Sequence, residues 1–324
     1  MTAAVSHATV PAEATGCAWG KVILLGEHSV VYGRRALASA ISRRIEVRIG
    51  DLYSGVHTNG AGKEMQADPR FRTAVLRAGE LLDIDATDLV VQVESDLPAG
   101  VGLGSSAALS VALVRGMAAF AGVDCCHAEV CAHAYELERI FHGTPSGIDN
   151  TAATHGGLFI FRRGEPPRQL PARKPLSLVV AQGKTPRQTQ RTVAGVRDRW
   201  QADPTTYEAI FDRIDGLVVT AEEALAAGDL AVFGTAMNEN QSLLQRMGVS
   251  TDELDHLVAF GREHGALGAK LTGGGGGGAI LCLVEERGAA EELAQIYRRQ
   301  GWEAFTTRVT ASVGGSRESA RERA

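Results

Sequence analysis

A chain of 324 residues with 44% hydrophobic and 22% charged residues is long enough for two folded cores and has the composition of a globular protein. Its formal net charge of −5 supplies no general basic field, which excludes sequence-independent binding to nucleic acid. No run approaches the roughly eighteen uninterrupted apolar residues of a membrane span, and residues 1–15 lack the basic start and apolar centre of a signal peptide, so no membrane partner and a cytoplasmic location are expected.

In chain order, residues 1–15 read as a disordered N-terminus, and strands are predicted at Val22 to Leu25, Ile45 to Ile49 and Leu89 to Glu94. The last of these runs into Pro98-Ala99-Gly100-Val101-Gly102-Leu103-Gly104-Ser105-Ser106-Ala107, which opens a helix predicted over Ala107 to Ala121. Glycines that let the backbone approach an anion, followed by the free N–H groups of a helix start, make this segment a phosphate cradle. It is not a dinucleotide fingerprint, because Ser105 stands where a third glycine is needed. Nor does the chain hold a P-loop, since the only Gly-Lys-Thr, Gly183 to Thr185, has Leu178 five residues before its glycine. The alternative is an ordinary turn before a helix.

Five cysteines, Cys17, Cys125, Cys126, Cys131 and Cys282, form an odd set without paired spacing, which fits reduced thiols. The cluster of Cys125, Cys126, His127, Cys131 and His133 offers soft ligands, but on a helix adjacent side chains diverge, so no zinc is expected there. That helix, His127 to His142, sets Val130, Ala134, Leu137 and Phe141 on one face. A strand follows at Leu158 to Phe161, and Pro166, Pro167, Pro171 and Pro175 break the composition. The predicted domains are therefore 16–172 and 173–313, with the strand Leu176 to Ala181 assignable to either.

The second half reads as helical from Gln188 to His264, turning at Gly228-Asp229, where Asp229 caps the next helix. Ala269 to Thr272 then meets six glycines, Gly273 to Gly278, before the buried-strand run Ala279 to Val284. A flexible linker is the plain reading of such a run. Its position between two strands favours a loop passing close to a ligand, a second wall of a nucleotide site. A helix at Ala289 to Arg299 and a strand at Ala304 to Val309 complete the unit, and 314–324 reads as a disordered tail.

Three segments in fixed order carry a family resemblance: Gly20-Lys21-Val22-Ile23-Leu24-Leu25-Gly26-Glu27-His28-Ser29-Val30-Val31-Tyr32-Gly33, Pro98 to Ala108, and Lys270-Leu271-Thr272 with Gly273 to Gly278. Together they resemble the signatures of the GHMP small-molecule kinases. Within that superfamily His142-Gly143-Thr144-Pro145-Ser146-Gly147-Ile148-Asp149-Asn150 and Gly183 to Thr189 resemble the mevalonate-kinase branch; Val31-Tyr32 stands where galactokinases carry Asp-Tyr, and Asp149 disfavours homoserine kinase. The resemblance implies an α+β, two-domain GHMP kinase fold, with an N-terminal ribosomal-protein-S5-like α/β domain and a C-terminal ferredoxin-like α/β domain. It implies ATP-dependent phosphorylation of the 5-hydroxyl of (R)-mevalonate, with Mg2+ as cofactor and ATP as co-substrate.

Carried over residue by residue, Asp149 accepts the hydroxyl proton and Lys21 lies beside it and the reacting oxygen. Pro98, Gly100, Gly102, Leu103, Gly104, Ser105, Ser106 and Ala107 hold the phosphates, and Ser106 and Glu138 hold the metal. Lys21, Glu27, His28, Asp149, Arg187, Thr189, Gly274 and Gly275 surround the substrate, whose carboxylate suits the planar guanidinium of Arg187. Without the resemblance, Asp149 reads as a turn residue, Glu138 as a solvated helix residue and Arg187 as a surface cation. The chain departs from the family pattern at Trp19, where Pro is usual, at Gly274, where Ala is common and Gly is expected to add flexibility, and at Leu109, where some members carry Tyr. The long helices between Tyr207 and Arg246 offer surface for a homodimer, and feedback binding of prenyl diphosphates is a further family expectation. The alternatives are another GHMP kinase or decarboxylase of the same pathway, or a catalytically inactive ligand-binding regulator.

Overall fold

Strand β1 (Glu13–Leu25) leads through a 3-10 turn, Ser29–Tyr32, into β2 (Ala36–Gly50). Helices α1 (Gly60–Gln66) and α2 (Pro69–Leu81) precede β3 (Val90–Ser95), and then α3 (Ser105–Ala121), α4 (His127–His142) and α5 (Ile148–His155) follow one another. Next come β4 (Leu158–Phe161), β5 (Arg168–Gln169) and β6 (Leu176–Gln182). Helices α6 (Thr189–Ala202), α7 (Pro204–Ala227), α8 (Leu230–Arg246) and α9 (Asp252–Glu263) lead to β7 (Gly268–Thr272), β8 (Ala279–Val284), α10 (Arg287–Arg299) and β9 (Glu303–Val309). The computed structural model describes residues 13–50, 60–98, 100–143 and 145–310. Glu13, Ala14 and Thr15 begin β1 and so fall outside the disorder expected over 1–15; residues 1–12 and the expected tail 314–324 lie outside the described residues.

Contacts divide the chain into two units that are not continuous in sequence: 1–20, 43–99 and 104–155, and 21–42, 100–103 and 156–324. A single cut near residue 170 does not reproduce this division, because β1 and β2 are long enough to serve both units, and β4 belongs with the second. Proline density marks where the chain turns, and it carries no record of which distant strand a segment joins.

In the first unit the C-terminal part of β2 pairs antiparallel with β3, from Ile45 opposite Ser95 to Gly50 opposite Val90. Ile45, Val47 and Ile49 alternate into the core with Val91 and Val93. Helix α3 is its central element: eleven of its residues are buried, and it packs on α2, α4 and α5. A Cβ on Gly16 of β1 would meet the Gly116 nitrogen of α3 at 2.3 Å, so the absence of side chains there lets helix and strand touch backbone to backbone.

In the second unit the sheet order is β7-β8-β6-β9, every neighbour antiparallel. Numbered within the unit this is 2-3-1-4 on a β-α-β-β-α-β connection, the ferredoxin-like arrangement that the resemblance implied. Strand β6, unassigned by the sequence, is a central strand between β8 and β9. The N-terminal part of β2 pairs with β4 in the same unit, Ala36 opposite Phe161. The helices begin where local chemistry dictates: the Asp229 side chain accepts from Val232 N at 3.0 Å, as the sequence predicted, and Asp203 caps α7 ahead of Pro204. The six glycines are the loop of the β7–β8 hairpin, with Thr272 opposite Ala279. No helix among the described residues is long and apolar enough to cross a membrane.

Helix α8 presses on β7 through two glycines: a Cβ on Gly234 would lie 2.5 Å from Leu267 O, and one on Gly268 would lie 2.4 Å from Gly234 O. Gly234→Ala is therefore expected to destabilise the chain by about 1–3 kcal/mol despite alanine's better helix propensity. Urea unfolding of the variant checks this, and an unchanged midpoint would contradict the contact.

Candidate active site

In the second unit the end of β1 is bonded to β7 through the side chain of Thr272. Ile23 N donates to Thr272 Oγ1 at 3.0 Å, and Thr272 Oγ1 donates to Ile23 O at 3.1 Å. Lys21, 2% exposed, donates from its backbone to Leu103 O at 2.8 Å and from Nζ to Gly102 O at 3.2 Å, so the first signature also holds the start of the phosphate loop. Beyond Leu25 the chain turns at Gly26, whose φ of 102° and close approach to Ala36 and Arg35 leave no room for a side chain. That turn delivers Glu27 and His28 into the interior, 1% and 6% exposed.

The Glu27 carboxylate is ion-paired with Lys270 Nζ through Oε1 and accepts from Asn240 Nδ2 at 3.0 Å through Oε2. Both Glu27 oxygens accept from protein donors, so its carboxylate is fixed in place by Lys270 and Asn240. Burial pushes the Lys270 ammonium below the ordinary lysine range; Glu27 opposes that shift, and the charge of Lys21 adds to it. His28 sits at φ 61°, a left-handed conformation that a non-glycine residue rarely holds. Its Nε2 lies 3.1 Å from Gly274 O, and since a carbonyl only accepts, Nε2 carries the proton. Burial, opposed by that bond and assisted by Arg199, lowers the imidazole to about 4, so the ring is neutral at pH 7 with Nδ1 as its acceptor.

After His28 the 3-10 turn is clasped by α6 and α7. Tyr32 stacks on Phe211 with centroids 4.4 Å apart and meets Trp200 at 5.1 Å, while Arg34 pairs with Glu208 and Asp212 and Arg35 with Asp215.

The glycine run is lined by backbone and short side chains, which is why it contains no others. A Cβ would meet Thr189 Cγ2 at 2.6 Å from Gly274, Val249 O at 2.1 Å from Gly275 and Thr185 O at 2.6 Å from Gly277. Gly274 is thus fitted to Thr189 rather than a source of added flexibility, which corrects the expectation from sequence. Thr189 Oγ1 is buried without a hydrogen-bond partner. Arg187 lies across the run: its Nη1 would be 3.1 Å from a Cβ on Gly102 and 3.9 Å from one on Gly273. Its guanidinium makes no hydrogen bond or ion pair among the described residues, so half-buried positive charge faces the loop without an anion.

The loop after β3 passes Pro98, Gly100 (φ 73°), Gly102 (φ 93°) and Gly104 (φ 72°), then enters α3 with Ser105, Ser106 and Ala107 in its first turn. Gly104 caps α3 without a side-chain bond. Ser106 Oγ donates to Glu138 Oε2 at 3.3 Å and lies 2.9 Å from His142 Nε2; Ser110 Oγ donates to Glu138 Oε1 at 3.4 Å. Glu138 is only 2% exposed, so it is not the solvated residue of the bland reading. Asp149 stands in the first turn of α5, which packs on α3 and α4. The sequence therefore named Ser106 and Glu138 as a pair, and the structure brings them into contact. It missed Ser110 and His142, which lie one helical turn along from Ser106 and Glu138, and it missed Asn240, which has no local signal at all.

Two family models match the chain: GHMP kinases N terminal domain over residues 71–157 and GHMP kinases C terminal over residues 221–302. The mevalonate kinase of Methanothermobacter thermautotrophicus is 37% identical over 256 residues, 78% of this chain and 84% of that protein. The mevalonate kinase of Pyrococcus horikoshii is 35% identical over 319 residues, 90% of this chain and 93% of that protein. Among solved structures, the L. major mevalonate kinase in complex with R-mevalonate aligns with a TM-score of 0.84 at 30% identity, covering 94% of this chain and 99% of that one. These matches, on a fold with this loop and this glycine hairpin, define a GHMP kinase, a phosphotransferase with an alcohol as acceptor. Within that class the chain belongs to the mevalonate kinase family.

Two outcomes test this geometry. Gly274→Ala is expected to cost about 1–3 kcal/mol by overpacking against Thr189, and Thr189→Ser on the same chain, which removes the crowded methyl, to recover most of it; denaturant unfolding of both variants measures the coupling. For His28, the unfolded chain binds a proton near 6.5 and the folded chain only near 4, so its stabilising contribution is complete above pH 6.5 and is lost as pH falls through about 4. Between pH 7 and 4.5 the native chain should lose about 2–3 kcal/mol more stability than His28→Asn, read from urea titrations at the two pH values.

Proposed function

We propose that this chain transfers the γ-phosphoryl group of ATP to the 5-hydroxyl of (R)-mevalonate, giving 5-phosphomevalonate and ADP. The observation that carries the substrate is Arg187: a half-buried guanidinium without an anionic partner among the described residues, against Gly102 of the phosphate loop and Gly273 of the glycine hairpin, suits a substrate carboxylate that neutral alcohols lack. His28, held neutral with its proton on Nε2, offers Nδ1 to a substrate hydroxyl, and Thr189 Oγ1 offers a hydroxyl still in need of a partner. The backbone of Gly274 and Gly275 completes that wall.

Phosphoryl transfer is governed by alignment and charge stabilisation. In this reading the backbone from Pro98 through Gly100, Gly102, Leu103 and Gly104 to Ser105, Ser106 and Ala107 binds the phosphates of ATP at the start of α3, where unbonded N–H groups and the helix dipole favour negative charge. Ser106 Oγ and Glu138 Oε2, hard oxygens 3.3 Å apart, fit Mg2+, which keeps its other positions for water and phosphate oxygens. Bound there, the cation would neutralise phosphate charge. Asp149 accepts the proton of the attacking hydroxyl, and the Lys21 ammonium, oriented by its bond to Gly102 O, stabilises the negative charge that develops on the oxygen.

ADP release with ATP and Mg2+ against mevalonate, phosphomevalonate, diphosphomevalonate, homoserine and galactose is expected only with mevalonate. Arg187→Met should raise the KM for mevalonate about 100-fold, roughly 2.7 kcal/mol, with the KM for ATP little changed. Asp149→Asn should abolish turnover while leaving ATP affinity within about tenfold. Turnover on another member of the panel overturns the substrate, and retained activity in Asp149→Asn removes that residue from its role.

A further inference from the structure

The ion pair of Lys270 with Glu27 has both side chains wholly buried, in contrast to surface pairs such as Arg34 with Asp212 and Arg48 with Glu94. Lys270 Nζ donates also to Leu271 O at 2.6 Å, and Glu27 is held from its other side by Asn240, itself fully buried, whose Oδ1 has no hydrogen-bond partner. A buried ion pair is a poor device for stability, since the desolvation of two charges offsets most of their attraction. It is a good device for register, because neither charge can leave the other. Its location suits that use: Lys270 lies two residues before Thr272, which bonds Ile23, and four before Gly274, which bonds His28. In the turn after β1 Glu27 lies between Ile23 and His28, so the ion pair and two weaker links join the same two segments within a few residues of one another.

Resting on the kinase activity proposed above, we infer that Lys270 and Asn240 are positioning residues for phosphoryl transfer, which act through Glu27 to lock the Lys21–His28 segment in register with the glycine hairpin. Lys270 does not touch substrate in this assignment. It fixes two groups that do: the His28 ring against Gly274 O, and the Lys21 ammonium at Gly102 O. Backbone bonds from Gly276 to Val249 O and from Gly278 to Thr185 O hold the hairpin to its neighbours, while its register against the Lys21–His28 segment is set by this pair, the Thr272 bonds and the His28 bond to Gly274 O.

The test removes both charges at nearly constant volume, in Glu27→Gln/Lys270→Met, beside Lys270→Met alone. The single variant should be clearly less stable, because it strands a buried carboxylate, while the double variant should regain at least the native unfolding midpoint. In the double variant kcat for mevalonate is nonetheless expected to fall about 100-fold, as loss of alignment does. The His28 titration, followed by NMR of the imidazole, is expected to rise from about 4 toward 6.5 as the displaced ring regains water, since burial is the main cause of its depression and outweighs the opposing Gly274 bond. A purely structural role would restore kcat together with stability. Native kcat, or an unmoved His28 titration, in a folded double variant overturns the inference. If that variant does not fold, Asn240→Ala, which leaves the ion pair in place, should lower kcat about tenfold with a smaller shift of His28 in the same direction; no change in either overturns it. A native chain inactive on mevalonate would remove the substrate reading alone, since the His28 measurement needs no substrate.

Discussion

A lysine and a glutamate taken wholly out of water have little freedom in where they sit. Each must stay within reach of the other or be neutralised, and in this chain they are separated by 243 positions of sequence. That constraint fastens the turn after β1 to the strand that feeds the glycine hairpin, and the Thr272 and His28 bonds join the same two segments. The placement of Lys21 and His28 against the glycine hairpin rests on this pair together with the Thr272 and Gly274 bonds.

The glycines are required by their neighbours rather than by a need for motion. Backbone from residues 185 and 249 and the methyl of Thr189 come so close that a side chain at Gly274, Gly275 or Gly277 would collide. A run that resembles a linker in composition is therefore a tightly lined hairpin loop, and the tightness is what allows Arg187 to rest across it with its charge available. The same principle operates in the first unit, where Gly16 and Gly116 let β1 and α3 touch. Glycine serves as a packing residue in both, since the scarce resource is space between backbones.

The two units carry different parts of the chemistry. The first holds oxygen ligands, with Ser106 and Ser110 directed at a buried Glu138 and Asp149 in the opening turn of α5. The second holds cations and neutral polar groups. Family membership accounts for both sets, and the departures from the family pattern are local. Trp19 sits under the Arg115 guanidinium at 5.9 Å, a use of its ring that proline could not supply. Leu109 is buried in α3, where an apolar side chain suits its surroundings.

Much of this was legible in the sequence. Periodicity gave α4, β3, β8 and α10, local chemistry gave the Asp229 cap, and the three glycine-bearing segments gave the family and, through it, the pairing of Ser106 with Glu138. These are signals carried by neighbours a few positions apart, and a sequence displays them directly. Three things were decided only by the tertiary structure. The division into units was one, because it depends on which distant strands β1, β2 and β4 join. The partners of Glu27 were another: Lys270 and Asn240, which hold its two oxygens, have no local signal beside it in the sequence. The third was the reason for Gly274, which lies in the methyl of Thr189, 85 positions earlier. In each case the deciding contact joins residues remote in sequence, and only folding makes their distance a physical quantity.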